Sequence, residues 1–222
     1  MNRDAADFAL ARARMVEGQL RPNGVRNPGI LDAMGVLPRE RFVPPGCTAL
    51  AYADADVPLG GERVLLAPMV LARLLQLAAP RAGERALVVG AGPGYGAAVL
   101  AECGAAVTAL EEERRLLAMA RSVLPALSPA IDVVEGPLAA GWPAGGPWHI
   151  VVIEGAVKEV PSAIAGQISR QSGRLVTVLM PRPDAGKAVI GLPSTGGLAL
   201  QDAFDCATSL LPALVPQPAF SF

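Results

Sequence analysis

Several residue types are scarce in this 222-residue sequence, and each scarcity excludes a class of protein. Histidine occurs once, as His149, which argues against a histidine-ligated metal site and against a Ser-His-Asp triad. The formal charges sum to −1, so the chain lacks the basic excess that neutralises nucleic-acid phosphates. Three scattered cysteines without a C-x-x-C pair favour reduced thiols. No signal-peptide segment opens the sequence and no apolar run is long enough to cross a bilayer, so we expect a cytoplasmic protein that binds neither membrane, nucleic acid nor metal.

Apolar segments and helical patterns alternate from residue 86 onward. Short buried strands are expected at residues 86–89, 106–110, 131–135, 149–153 and 174–179, with weaker edge strands at 188–192 and 199–205. Helical patterns follow the first, second and fourth of these strands, the last of them at residues 162–169. The alternation predicts an α/β fold, a doubly wound, mostly parallel seven-stranded sheet of Rossmann-like type, covered on both faces.

The first 80 residues have a different pattern. They predict a helix over residues 5–20, a short helix that Asn27 caps and Pro28 begins, mostly loop over 38–61, and a helix that begins at Pro68. We therefore expect an N-terminal helical and loop region, residues 1–80, packed on a main domain, residues 81–222, as a single structural unit. The proline-containing tail, residues 210–222, is expected to lie as an extended segment along the main domain.

A glycine loop lies in the stretch "LVVGAGPGYGAAVLAE", residues 87–102, between a buried strand and a helix. Its G-x-G-x-G pattern begins at Gly90 and lets the backbone approach a ligand at the N-terminus of the helix. Tyr95 occupies the sixth position, where a flavin or nicotinamide fingerprint requires glycine. Glu111 ends the next strand, 21 residues after Gly90, where a carboxylate accepts hydrogen bonds from ribose hydroxyls. A nucleoside site is the favoured interpretation, and the alternative is that residues 111–113 are only an acidic helix start.

The segment upstream of this loop carries a family resemblance. Residues 15–45, "MVEGQLRPNGVRNPGILDAMGVLPRERFVPP", resemble the Q-L...G-(I/V)...L-x-A-M...V-P-R-x-x-F-V-P pattern of the protein-L-isoaspartate O-methyltransferase family. Residues 51–60, "AYADADVPLG", resemble the family's A-Y-x-D-x-x-(L/V)-P-(I/L)-G pattern. The resemblance implies a class I methyltransferase fold, S-adenosyl-L-methionine as cofactor, and methyl transfer to a carboxylate of a protein or peptide. We expect a monomer or a homodimer.

The resemblance also implies the site residues. Because a carboxylate is already ionised at neutral pH, the reaction needs no general base, which suits a chain with one histidine. The implied cofactor-binding residues are Gly90, Ala91, Gly92, Gly94, Tyr95, Glu111, Gly136 and Pro137. The implied substrate-binding residues are Val64, Leu65, Leu66, Pro68 and Glu154, and Leu66 stands at the position of a family serine beside the methyl donor and the substrate carboxylate.

Several positions depart from the family pattern, and most of them lose a polar group. A carboxylate placed against Leu66 would lose solvation without a replacement hydrogen bond. These departures support an alternative hypothesis, a catalytically degenerate methyltransferase scaffold that acts as a binding or regulatory protein. A third hypothesis, a flavin or nicotinamide oxidoreductase, rests on "VVGAGPG" alone. The departures are Val64 and Leu66 in the T-I-S segment, Val88 for a motif-strand carboxylate, Pro137 for the Asp of G-D-G (with Glu135 as a candidate replacement), His149 for an Asp, and Glu154 for a small residue.

Overall fold

Nine strands form in the computed structural model, which describes residues 3–128, 130–182 and 185–215. Seven of them build a central sheet, and the other two form a small antiparallel ribbon. The last residues of the predicted tail, 216–222, lie outside the described residues. The strands are β1 (Val57–Gly60), β2 (Arg63–Leu65), β3 (Arg85–Val89), β4 (Ala106–Glu111), β5 (Asp132–Glu135), β6 (Ile150–Val157), β7 (Arg174–Leu179), β8 (Lys187–Ser194) and β9 (Gly197–Asp205).

The central sheet has the strand order β5-β4-β3-β6-β7-β8-β9. Strands β3 to β7 pair in parallel, whereas β8 and β9 add an antiparallel edge. The order reverses direction between β3 and β6, and ligands of open α/β sheets bind at such a switch point, beyond the carboxyl ends of the strands. The predicted mostly parallel seven-stranded α/β sheet is confirmed.

Helices cover the sheet and build the N-terminal region. None of the helices in the described part of the chain has the length and apolarity that crossing a membrane requires. The predicted cap of the second helix is confirmed, because Asn27 Oδ1 accepts the backbone N–H of Ile30 at 3.2 Å and Pro28 begins the helix. The helices are α1 (Arg3–Met15), α2 (Pro28–Val36), α3 (Pro68–Ala78), α4 (Tyr95–Glu102), α5 (Arg114–Val123) and α6 (Ser162–Ala165).

Alternate residues of the inner strands enter two separate cores. Val88, Val152 and Val176 belong to the larger core, which also holds most of the buried apolar residues of α1 to α5. Leu87 and Val151, their neighbours along β3 and β6, belong to a smaller core on the opposite face. Burial on both faces explains the continuous apolar character of these strands. Val88 is therefore a core residue, on the face that the N-terminal region covers.

The bounds of three predicted elements differ most from those in the structure. The predicted helix over residues 5–20 is α1 followed by a π-helical turn, Val16–Leu20, in which Val16 and Leu20 both reach the core. The helix predicted over residues 162–169 ends at Ala165, just before Gly166. The fourth predicted strand continues to Val157, since the chain passes a bulge at Gly155 and pairs again with β7.

The region from residue 38 to 61, predicted as mostly loop, contains ordered elements. Two 3-10 helices, Arg39–Phe42 and Pro45–Leu50, precede strand β1. Strand β1 pairs with β2 to form a two-stranded ribbon that lies outside the central sheet. The sequence pattern did not indicate β1, because the strand contains proline and glycine, and both residues are depleted in strands.

Candidate functional site

The predicted cofactor-binding residues meet at the switch point of the sheet. The glycine loop, residues 90–94, connects the carboxyl end of β3 to α4. Glu111 is the last residue of the neighbouring strand β4, and Glu154 lies on β6 at the other side of β3. Gly136 follows β5, and its N–H donates to the Glu111 carbonyl at 3.3 Å. The sequence therefore brings these residues to one cleft, where a ligand of this fold class is expected.

Gly94 gives the loop its tight entry into α4. Its φ of +96° lies in the left-handed region, and a Cβ there would stand 2.7 Å from Leu124 Cδ1. The Gly94 N–H donates to the Ala91 carbonyl at 2.9 Å, which closes the turn. Only glycine satisfies both requirements without strain, so the loop geometry itself demands this residue.

Glu111 is buried, with 1% of its surface exposed, and its carboxylate accepts five N–H donors. Three of the donors are the backbone N–H groups of Gly92, Glu112 and Glu113, at 2.8, 2.9 and 3.0 Å. The other two come from Arg63, as described below. Burial alone would raise the pKa of Glu111, but the hydrogen bonds and the charge of Arg63 outweigh it and hold the pKa below its ordinary value. The carboxylate is ionised and its acceptor capacity is filled.

Arg63 is the site residue that sequence reasoning missed. It extends from β2, is 6% exposed, and places Nη1 and Nη2 at 2.9 and 2.8 Å from the two Glu111 oxygens. Nη2 also donates to the Gly90 carbonyl at 3.0 Å. This is a buried, bidentate ion pair, the strongest geometry that arginine offers a carboxylate. One signal was visible in the sequence, the charged residues Glu62 and Arg63 directly before the apolar residues 64–66.

Leu211 lies on the glycine loop from the other side. It is 3% exposed, and its N–H donates to the Ala156 carbonyl at 2.8 Å, beside the bulge of β6. A Cβ added at Gly155 would stand 2.5 Å from Leu211 Cγ, and one at Gly90 would stand 3.1 Å from Leu211 Cδ1. Arg63, Leu211 and Glu154 border a space that is too small to hold a water molecule. The C-terminal segment thus packs directly against the cleft.

The segment after β5 also packs against the C-terminal segment. Leu138 is buried in the smaller core together with Leu211 and Leu214, and its N–H donates to Glu112 Oε2 at 2.9 Å. Pro137 is exposed and supplies no backbone donor. Glu135, the candidate replacement for the missing carboxylate, is exposed and lies 4.0 and 3.8 Å from two arginines of α5. Its side chain is therefore directed at α5.

The predicted substrate residues divide between core and groove. Leu65 and Leu66 are buried in the larger core, and Pro68 begins α3. The Leu66 carbonyl accepts Arg39 Nη2 at 2.6 Å, so a buried arginine ties this segment to the 3-10 helix Arg39–Phe42. Val64 lines a groove of about 570 Å³ between the β1–β2 ribbon and the C-terminal segment, together with Pro58, Gly60, Glu62, Arg63, Met180, Thr208, Ser209, Leu210, Pro212 and Val215.

A second buried polar group lies under the cleft. Arg39 stacks on the Tyr95 ring at 4.8 Å, and its charge acts on Glu154. Burial raises the pKa of Glu154 to about 8, although the positive charges of Arg39 and Arg63 oppose the shift. Among the described residues, Glu154 Oε1, Tyr95 Oη and Arg39 Nη1 have no hydrogen-bond partner. His149 lies apart from this group, where its Nδ1 accepts the Arg85 N–H at 3.1 Å at the opposite end of β3.

This cleft does not admit a nucleoside in the conformation described. A ribose would need donors removed from Glu111, and Leu211 covers the glycine loop where the backbone would approach the ligand. Within the described ranges, no group of three or more His, Cys, Asp or Glu side chains is placed to hold a metal ion. The roles predicted for the individual site residues stay predictions, although most of those residues border one cleft.

The fold and the position of this cleft define a class I methyltransferase. A protein-L-isoaspartate O-methyltransferase structure superimposes with a TM-score of 0.78 at 22% identity, over 92% of this chain and 67% of that chain. A Plasmodium falciparum protein assigned as a protein-L-isoaspartate O-methyltransferase, solved in complex with S-adenosyl-L-homocysteine, gives 0.75 at 16% identity, over 91% of this chain and 98% of that one. At these identities the two structures establish the fold.

Sequence comparison identifies the family. A sequence model described as Protein-L-isoaspartate(D-aspartate) O-methyltransferase (PCMT) matches residues 11–184. The chain is 41% identical over 186 residues to a Methylorubrum populi protein-L-isoaspartate O-methyltransferase, covering 84% of this chain and 86% of the relative. A Methylorubrum extorquens relative of the same name is 38% identical over 86% of this chain and 82% of its own length. The chain belongs to the protein-L-isoaspartate O-methyltransferase family, and the predicted methyltransferase family is confirmed.

Proposed function

We propose that this protein is an S-adenosyl-L-methionine-dependent O-methyltransferase that transfers a methyl group to a carboxylate of a protein or peptide. One observation carries the proposal. Glu111 ends β4 beside the glycine loop, at the switch point of the sheet, in a chain of the methyltransferase family. The predicted cofactor is further supported by the S-adenosyl-L-homocysteine complex of the Plasmodium falciparum protein.

The residues that would hold the cofactor are those of the closed cleft. Glu111 is the ribose acceptor in this proposal, and the loop from Gly90 to Tyr95 with Gly136 and Pro137 lines the rest of the site. Binding requires Arg63 and Leu211 to leave, because both now lie on these residues. When bound, the cofactor supplies an electrophilic methyl group, and a carboxylate acceptor can attack without a general base, since it is ionised at neutral pH.

The acceptor is proposed to enter along the groove that Val64 lines. That groove passes Arg63, whose positive charge becomes available to an acceptor carboxylate once Arg63 leaves Glu111. Leu66 offers the acceptor no hydrogen bond and is buried, so we propose that the acceptor differs in detail from the isoaspartyl group of the family. We further propose a cytoplasmic location, a monomer or homodimer, and the packing of residues 1–80 on residues 81–222 as one unit.

A second candidate function is favoured by the saturated Glu111. A methyltransferase scaffold whose ribose acceptor is occupied by its own arginine, and whose serine position is leucine, has lost two polar contacts that the reaction would use. Such a chain would act as a binding or regulatory protein. Turnover separates the two candidates, because the scaffold hypothesis excludes methyl transfer to any acceptor.

The experiment is calorimetry with S-adenosyl-L-methionine and S-adenosyl-L-homocysteine, followed by a labelled-methyl assay on an isoaspartyl peptide. Saturable binding supports the enzyme proposal, whereas no heat at millimolar ligand refutes it. The Leu66→Ser variant tests the serine position, and it should raise incorporation into the peptide. Leu65→Ser is the matched control, because the same change is made at the neighbouring buried leucine, where no gain is expected.

A further inference from the structure

We propose that Arg63 and Leu211 form an intramolecular plug, in which Arg63 takes the place of ribose on Glu111 and Leu211 covers the glycine loop. The inference rests on the proposed function, since the plug lies in the same cleft. It adds a means of regulation: the cofactor competes with the protein's own side chains, and the site opens only when the ribbon β1–β2 and the C-terminal segment move.

Arg63 competes with ribose for the same acceptors. A carboxylate offers about four lone-pair positions, and Glu111 already receives three backbone donors. The Arg63 fork supplies one further donor to each oxygen. Its departure leaves Oε1 with the N–H groups of Glu112 and Glu113 and Oε2 with the N–H of Gly92 alone, so a ribose hydroxyl can take the acceptor position that is freed on Oε2. The backbone donors stay in both states, so Glu111 remains hydrogen-bonded when Arg63 leaves.

Leu211 packs against two glycines, Gly90 and Gly155. No side chain at Gly155 could coexist with Leu211, because a Cβ there would stand 2.5 Å from its Cγ. Gly90 receives the other side of the same leucine and also accepts a hydrogen bond from Arg63. The two parts of the plug therefore meet at Gly90. Because Arg63 and Leu211 both contact Gly90, we expect that displacement of either side chain weakens the packing of the other against the glycine loop.

Both parts of the plug are carried by short elements. The ribbon has strands of four and three residues and is held to the larger core by Val57, Leu59 and Leu65. The C-terminal segment pairs with β6 through two backbone hydrogen bonds, from Leu211 N–H to the Ala156 carbonyl and from Ala156 N–H to the Ser209 carbonyl, at 2.8 and 2.9 Å. The ribbon lies outside the central sheet, so its movement leaves the pairing of the seven central strands in place. The plug can open without unfolding the domain.

The test uses the full chain and two readouts. Arg63→Gln removes the charge and the fork, Leu211→Ala removes the leucine, and the double variant removes both. Arg115→Gln is the matched control, because Arg115 also reaches the ribbon at Gly60 but is itself exposed and pairs with the half-buried Glu113. The first readout, without ligand, is hydrogen exchange of the peptides covering residues 57–65 and 209–215. The second is the calorimetric affinity for S-adenosyl-L-homocysteine.

The plug predicts faster exchange of both peptides in Arg63→Gln and in Leu211→Ala than in the control. It predicts an affinity gain of at least about tenfold in the double variant, since a competent fraction below one tenth lowers the apparent affinity by that factor. Arg115→Gln should stay within about twofold of wild type. In wild type, saturating ligand should accelerate exchange of the Leu211 amide, the reverse of the protection that ligands usually give.

The outcomes separate the plug from the proposed function. Suppose that wild type binds S-adenosyl-L-homocysteine as tightly as the double variant and that the ligand protects residues 209–215 from hydrogen exchange. This result would overturn the plug and support the proposed cofactor. Suppose instead that hydrogen exchange is faster in the variants but that none of them binds the ligand at millimolar concentration. This result would support the plug as a closure of the cleft and refute the proposed cofactor. If Arg63→Gln fails to fold, Arg63→Lys retains the charge without the bidentate fork and should show a smaller gain. Unchanged exchange and affinity in both Arg63→Lys and Leu211→Ala would overturn the plug.

Discussion

Glu154→Gln is expected to stabilise the protein above neutral pH and to leave it nearly unchanged at pH 5. Glu154 is 6% exposed, its Oε1 has no hydrogen-bond partner within the described residues, and burial raises its pKa to about 8. The folded protein keeps this proton up to about pH 8, whereas the unfolded chain releases it near the ordinary pKa of 4.5. Stability is therefore full below pH 4.5 and falls as the pH rises through this window.

The size of the stabilisation by Glu154→Gln follows from the pH interval between the two pKa values, 4.5 in the unfolded chain and about 8 in the folded protein. While only the folded state holds the proton, each pH unit costs about 1.4 kcal/mol of unfolding free energy. Glutamine is neutral at every pH and nearly isosteric with the protonated acid, so the variant avoids this loss. The gain from Glu154→Gln should thus be about 3 kcal/mol larger at pH 8 than at pH 5. For a chain of this size that corresponds to about 6–12 °C in Tm.

Thermal unfolding of wild type and variant at pH 5, 6, 7 and 8 measures this difference. Subtracting the wild-type curve at each pH cancels the titration of every other group. Glu159→Gln is the control, because Glu159 is an exposed glutamate five residues further along the chain, and its substitution should shift Tm little at any pH. A Glu154→Gln curve that runs parallel to wild type from pH 5 to 8 would refute the reasoning, since it would mean that Glu154 is ionised in the folded protein throughout.

Three further substitutions test other parts of the structure. Glu111→Gln should lower the free energy of urea unfolding by about 3–5 kcal/mol, because Arg63 would be left as an uncompensated buried charge; a loss below about 1 kcal/mol would mean that the pair is solvated. Gly94→Ala should cost about 1–2 kcal/mol from its left-handed backbone alone, measured by thermal unfolding, and a neutral result would contradict the loop geometry. Asn27→Ala should cost about 1 kcal/mol through loss of the α2 cap, whereas Asn23→Ala, which changes a hydrogen bond on the exposed surface, should cost less.

The sheet and the cleft could be predicted from the sequence because their signals are local. Buried strands read as short apolar runs, and the glycine loop and Glu111 stand at fixed distances from the ends of such runs. Asn27 could be assigned as a cap for the same reason, since its partner is three residues away. These features depend on neighbours in the chain, and a single sequence contains that information.

The closure of the cleft could not be predicted, because it depends on pairs distant in sequence. Arg63 meets Glu111 across 48 residues, and the ribbon that carries Arg63 includes a proline and a glycine that conceal its first strand. Leu211 reaches Gly90 and Gly155 only because the C-terminal segment returns to β6. No spacing rule connects these residues. The extended tail was expected along the domain, but its position on the glycine loop is a tertiary result.

The ion pair with Arg63 gives Glu111 a structural role in addition to the ribose-binding role that its position in the sequence predicts. In the sequence, a carboxylate at the end of the second strand of such a sheet indicates a ribose. In the structure, Glu111 also neutralises a buried arginine and anchors the amides of Gly92 and Glu113, so the fold requires it whether or not a cofactor binds. The two roles differ in their dependence on Arg63. Combining Arg63→Gln with Glu111→Gln removes the charge pair as a whole, so stability should recover relative to Glu111→Gln alone. Affinity for S-adenosyl-L-homocysteine should not recover in that double variant, because the ribose acceptor is lost; equal affinity of Arg63→Gln and the double variant would assign Glu111 to the fold alone.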